Sequence, residues 1–139
     1  MKILSQLIAF AVLFVFFSFT LPSTDNIHQG EENFVIHFTI EGERVTMECL
    51  KGCSWEKLSF DSSSERPQFV GQNGMQQSAD ELRELQPGLV DFVFSVEKVK
   101  KGLSFTGYEG VSWLSTSAYC QKGGVECAIE LTEKGVSTK

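Results

Sequence analysis

The side chains of this chain best equipped for chemistry are four cysteines, two tryptophans and two histidines, set among 18 acidic residues. Four thiolates can hold zinc, Cys-His or Ser-His pairs can carry nucleophilic catalysis, and paired carboxylates can hydrolyse glycosides. The spacings favour none of these. Cys49-x3-Cys53 and Cys120-x6-Cys127 are poor matches to the usual zinc knuckles. His28 falls ahead of the patterned region, and His37 lies on the outward side of an alternating strand, where a solvated position outweighs a catalytic one. No Gly-x-Ser-x-Gly elbow occurs. Glu31/Glu32 and Glu41/Glu43 sit at ends and turns, where solvated charge is the default, and nothing selects one carboxylate pair over another. No catalytic residue, metal ligand or cofactor is therefore assigned.

For the thiols the competing chemistry is oxidation, which depends on compartment. The opening "MKILSQLIAFAVLFVFFSFT" has a positive Lys2, an uncharged apolar run over residues 7 to 17, and small residues at Ser18 and Thr20. That is the pattern of a secretory signal cut after Thr20. Left uncut, residues 1–20 are nearly long enough to anchor the chain in a bilayer, the only membrane contact expected. Under either reading the rest is exported, periplasmic or secreted, and an even cysteine count then implies disulfides before metal. Three pairings are formally open. Turn chemistry favours two local ones. Gly123-Gly124 suits a two-residue hairpin turn that sets Cys120 opposite Cys127, and Leu50-Lys51-Gly52 suits a three-residue loop that sets Cys49 opposite Cys53. Swapped long-range pairings stay open.

The elements that must hold these residues show up when the chain is slid against itself. At an offset of 58, "FVIHFTIEGERVTMECLKGCSW" aligns without gaps on "FVFSVEKVKKGLSFTGYEGVSW". Phe34/Phe92, Val35/Val93, Gly52/Gly110, Ser54/Ser112 and Trp55/Trp113 are identical pairs. In each copy apolar residues alternate: Phe34, Ile36, Phe38 and Ile40, then Val45, Met47 and Cys49; Phe92, Phe94 and Val96, then Leu103 and Phe105. Period two predicts strands, so each unit (34–60 and 92–118) reads as a three-stranded meander whose third strand carries the Trp. "VECAIELT" adds a further strand, with Val125, Cys127, Ile129 and Leu131 inward. The fold expected is all-β, a small β-sandwich or open barrel from two duplicated meanders. Trp55 and Trp113 are candidate binding residues for an aromatic platform, although core packing accounts for them more simply.

Between the units, "FVGQNGM" predicts a short strand and turn with Asn73-Gly74 as the turn pair. "SADELRELQPG" predicts one short linker helix, capped by Ser78 with Glu81 and stopped by Pro87-Gly88. Residues 21–32 are expected as a flexible lead, 33–133 as one β domain and 134–139 as a loose tail.

The chain resembles a group of small exported bacterial proteins that carry a Gly-x-Ala/Ser-Trp repeat. Here the repeat is Gly52-Cys53-Ser54-Trp55 and Gly110-Val111-Ser112-Trp113, with a downstream Gly74-Met75. The likeness covers most of the chain after residue 33. The second copy departs from it, reaching Gly124-Val125 after a shorter connection. That group has no assigned function, so the resemblance implies no catalytic residues.

A formal net charge of -6, with no basic cluster beyond Lys98, Lys100 and Lys101, argues against nucleic-acid binding. The expectation is an exported, non-catalytic binding or assembly module of the cell envelope or extracellular space. Its partner would be a protein, glycan or envelope component. An envelope-associated hydrolase using surface carboxylates is the alternative.

Overall fold

The computed structural model describes residues 32–62, 66–120 and 127–138. The leader (1–20), nearly all of the lead (21–32) and the Gly123-Gly124 turn lie outside the described residues. Ten strands form: β1 (Val35–Glu41), β2 (Arg44–Lys51), β3 (Lys57–Asp61), β4 (Gln68–Gly71), β5 (Gly74–Gln76), β6 (Val93–Val99), β7 (Gly102–Glu109), β8 (Ser115–Tyr119), β9 (Cys127–Thr132) and β10 (Gly135–Thr138). They make two five-stranded antiparallel sheets, ordered β10-β9-β1-β2-β3 and β5-β4-β6-β7-β8.

Alternation sets which face each strand buries. Ile36 and Phe38 of β1, Val45 and Met47 of β2, Phe94 and Val96 of β6, Leu103 and Phe105 of β7, and Ile129 and Leu131 of β9 share one core. Two sheets with apolar inner faces bury them only against each other, and the result is a sandwich. Phenylalanine rings tie the layers: Phe34 stacks on Phe92 at 4.3 Å between centroids, and Phe38 meets Phe105 edge-on at 5.1 Å. Five fully buried Phe side chains fill this space, each contributing roughly 1.5–3 kcal/mol of burial.

The strands of the two meanders span Val35–Asp61 and Val93–Tyr119, each set one residue on from the units expected. Strands β1, β2 and β3 recur 58 residues later as β6, β7 and β8, and the ladder slips at the same place, between Val35 and Ile36 and between Val93 and Phe94. The hairpins trailing the two meanders are exchanged. The β4–β5 hairpin, which trails the first meander, pairs with β6; the β9–β10 hairpin, which trails the second, pairs with β1. Corresponding residues occupy corresponding places, with Gly71 opposite Val93 and Thr132 opposite Val35.

Several expectations are corrected. The linker helix over 78–88 does not form; residues 77–92 run as turns and irregular backbone. Its two leucines, Leu82 and Leu85, stand 99% and 60% exposed, so no buried apolar face repays the cost of nucleating so short a helix. The Glu81 carboxylate, expected to cap through Ser78, accepts the Gln77 N–H instead at 2.6 Å. The tail is not loose throughout, since Gly135–Thr138 pairs with β9 as an edge strand. The turn pair after β4 is Gln72-Asn73, because Gly71 pairs with Gly74. The positive φ of Gly74, 128°, is matched by 137° at Gly135, and Gly135-Val136 follows its turn as Gly74-Met75 does; Gly124-Val125 lies outside the described residues.

Both local disulfides are present, Cys49–Cys53 and Cys120–Cys127. Neither sits in the hairpin expected. Strand β8 belongs to one sheet and β9 to the other, so Cys120–Cys127 joins the two layers. Strand β2 runs on to Lys51 against β1, and Cys49 donates its N–H to Glu56 rather than pairing across a tight loop with Cys53.

Candidate functional site

The Gly-x-Ser-Trp elements lie at the end of the sandwich where β1 and β6 begin, and each clamps an exchanged hairpin. Gly52 and Gly110 have φ of 84° and 67°. A Cβ there would run into the carbonyl oxygens of Asn33 and Asp91, the residues just ahead of the stacked Phe34 and Phe92. Backbone this close, in the left-handed region, admits glycine alone. Ser54 donates both its N–H and its hydroxyl to the Gln72 carbonyl, at 2.8 and 3.1 Å; Ser112 does the same to Glu133, at 2.8 and 2.7 Å. The indole N–H of Trp55 bonds Gly71 and that of Trp113 bonds Thr132, each at 3.0 Å.

Trp55 and Trp113 thus sit in the connections before β3 and β8, not within the third strands, half-buried against the core. Their polar atoms are engaged with backbone, as buried indoles require. The disulfide corner also has a counterpart. At the position matching Cys49 stands Gly107, and the Val111 side chain, matching Cys53, fills the space a Cβ on Gly107 would need.

Beside this end lies a charged cluster that spacing did not reveal. Arg83 grips Asp91 with two bonds, Nε to Oδ1 at 3.0 Å and Nη2 to Oδ2 at 2.6 Å, and reaches Glu109 Oε2 at 2.6 Å. Its Nη1 donates to the carbonyls of Ala79 and Glu81 at 3.3 and 3.4 Å. The fully buried Gln72 adds a 3.4 Å bond from Nε2 to Asp91 Oδ1. The hydrogen bond to Asp91 is the main reason that the Arg83 pKa is raised; burial opposes it, and the Glu109 bond adds to it. A bidentate guanidinium on a carboxylate is a strong, directional pair. Here it fixes the 79–85 backbone, and Asn73 Nδ2 bonding the Glu84 carbonyl at 2.6 Å pins the same segment from the β4–β5 turn.

Both carboxylate oxygens of Asp91, and Oε2 of Glu109, accept from one shared guanidinium. A cleft of about 350 Å³ lies over the cluster, edged by Leu82 and Leu85. A second, of about 310 Å³, is lined by Asn33, Lys51, Leu89 and Val90. His37 is outward on β1 as expected; its Nε2 lies 2.7 Å from Glu130 Oε2, the cross-strand neighbour on β9. Among the described residues no group of three or more His, Cys, Asp or Glu is placed to hold a metal ion, and no helix is long and apolar enough to cross a membrane.

Sequence reasoning missed Arg83, Asp91 and Glu109, which are brought together only by tertiary structure. A signal was present at Leu82 and Leu85. Two leucines among Asp80, Glu81, Arg83 and Glu84 are too few for a buried helix face.

No family model, curated protein or solved structure matches this chain.

Proposed function

We infer that the protein is an exported, non-catalytic binding module that engages a protein partner of the envelope or extracellular space through the 79–90 segment. One observation carries this reading: the Arg83 clamp holds Leu82 and Leu85 out in water, 99% and 60% exposed, on backbone fixed by hydrogen bonds. Apolar side chains held rigidly in solvent are ready anchors, because little conformational freedom is lost on binding. The flanking Asp80, Glu81 and Glu84 disfavour an anionic lipid surface and suit a partner with basic groups around an apolar pocket. Two disulfides are compatible with an oxidising, exported location. Protein recovered from its host should then begin near Leu21, as intact mass would show.

The test is comparative capture from the host envelope fraction. Wild type should enrich a partner that the double variant Leu82→Ser/Leu85→Ser fails to retain at equal loading. Equal capture by both would remove this segment from the interface. Hydrolysis of envelope polymers, lost in both Asp91→Asn and Glu109→Gln, would instead favour the carboxylate enzyme.

A further inference from the structure

The opposite end of the sandwich breaks the core pattern at one position. Inward-facing side chains of β1 run Ile36, Phe38, Ile40; the corresponding places in β6 hold Phe94, Val96 and Lys98. A lysine takes the last core-facing place of a central strand. Its Nζ crosses the gap between sheets and donates to the Gly42 carbonyl, in the β1–β2 turn, at 2.5 Å. Lys100 and Lys101 form the adjoining β6–β7 turn and are exposed. Among the described residues no carboxylate pairs with any of the three ammoniums. On a chain of net charge -6, this is a local reversal of sign.

These lysines rim a cavity of about 650 Å³ whose floor is Ile40, Val99, Gly102 and Cys120. Ile40 comes from one sheet, Val99 and Gly102 come from the other, and Cys120 directly follows β8. The rim is fixed, since Cys120 donates its N–H to the Lys101 carbonyl at 2.6 Å and the Cys120–Cys127 bond ties that corner to β9. The volume falls within the range of small-molecule sites, roughly 300–1,000 Å³.

We propose that this cavity binds a single-chain amphiphile with an anionic head group. The tail lies on Ile40, Val99 and Cys120, and the head accepts from Lys98, with Lys100 and Lys101 adding attraction from the rim. An ammonium has three donors, and Lys98 uses one on Gly42. A neutral apolar ligand would displace water from the other two without replacing it, and a cation would be repelled. A tailless anion would leave the apolar floor unused. The site is at the far end from Leu82 and Leu85 and stands independently of the partner surface there.

Titration calorimetry on protein recovered from its host tests this, using dodecanoate below its micelle concentration, octanoate, and dodecyltrimethylammonium. Dodecanoate should bind one to one. Octanoate should bind at least tenfold more weakly, since each buried methylene is worth roughly fourfold in affinity. The cationic amphiphile should also be at least tenfold weaker. Lys98→Met, which keeps the aliphatic stem, should cost about tenfold. The double variant Lys100→Gln/Lys101→Gln, in an exposed turn, should cost severalfold without touching the packing, and decides the matter if Lys98→Met disturbs the near-UV circular dichroism. Absence of dodecanoate binding, equal affinity for the two head charges, or wild-type affinity in folded variants would overturn the proposal.

Discussion

Gly110 and Gly42 both have positive φ, 67° and 61°, yet their surroundings differ completely. Around Gly42 no atom lies within reach of an added Cβ, whereas at Gly110 it would collide with the backbone of Asp91 and Phe92. Gly42→Ala should therefore cost only the conformational term, about 1 kcal/mol. Gly110→Ala should cost about 2–4 kcal/mol, because backbone has to move. Urea denaturation of the two variants measures the difference, and equal midpoints would show that the clamp yields. Arg83→Ala should cost about 2–3 kcal/mol by stripping Asp91 of its partner. Folding raises the guanidinium pKa, so its contribution is complete at neutral pH and is lost only as strongly alkaline pH rises through the folded value. The glycines and tryptophans were legible in the sequence because the motif is local and occurs twice. The Arg83 cluster was not, because Glu109 lies 26 residues from Arg83 and only the β6–β7 ladder brings it alongside Asp91.

The meanders were legible for a different reason: their strands pair with sequence neighbours, so alternation and turn glycines specify both strand and register. The hairpin exchange was not. Pairing β9 with β1 sets His37 beside Glu130, 93 residues away, and no local pattern encodes that choice. The same blindness put Cys120–Cys127 in a hairpin when it spans two layers. At this scale the two disulfides should behave unequally. In the second half Val111 packs over Gly107 and that corner is held without a covalent bond. Cys49→Ser/Cys53→Ser should accordingly lower stability by about 2 kcal/mol, the chain-entropy term, and leave the fold intact. Cys120→Ser/Cys127→Ser loses a similar entropy term and also frees β9 from the end of β8, so hydrogen exchange should rise in β9 and β10. Unchanged exchange there would mean that the sheets hold each other without the staple.

For the molecule as a whole, the exchange means that each half completes the other's sheet. A chain of 32–76 alone would expose the inner faces of β1 and β2, including Ile36, Phe38, Val45 and Met47, which in the intact protein are covered by the facing sheet. Its β4–β5 hairpin would also lack β6, the strand to which it hydrogen-bonds. Because β1 corresponds to β6 in bounds and in ladder slip, the vacant place could be taken by β1 of a second copy. The fragment is therefore expected to have no folded monomer. It should recover sheet structure either by pairing with 77–138 or, more weakly, as a two-fold dimer in which Phe34 of one copy stacks on Phe34 of the other. The heterologous pair should win because Phe94 and Phe105 supply aromatic volume that Ile36 and Met47 do not. Circular dichroism with analytical ultracentrifugation of each fragment and of the mixture reads this directly. A folded monomer of 32–76 would show that the meander and its hairpin can close on themselves. The interlocking of the halves would then be a feature of the intact chain rather than the condition for folding.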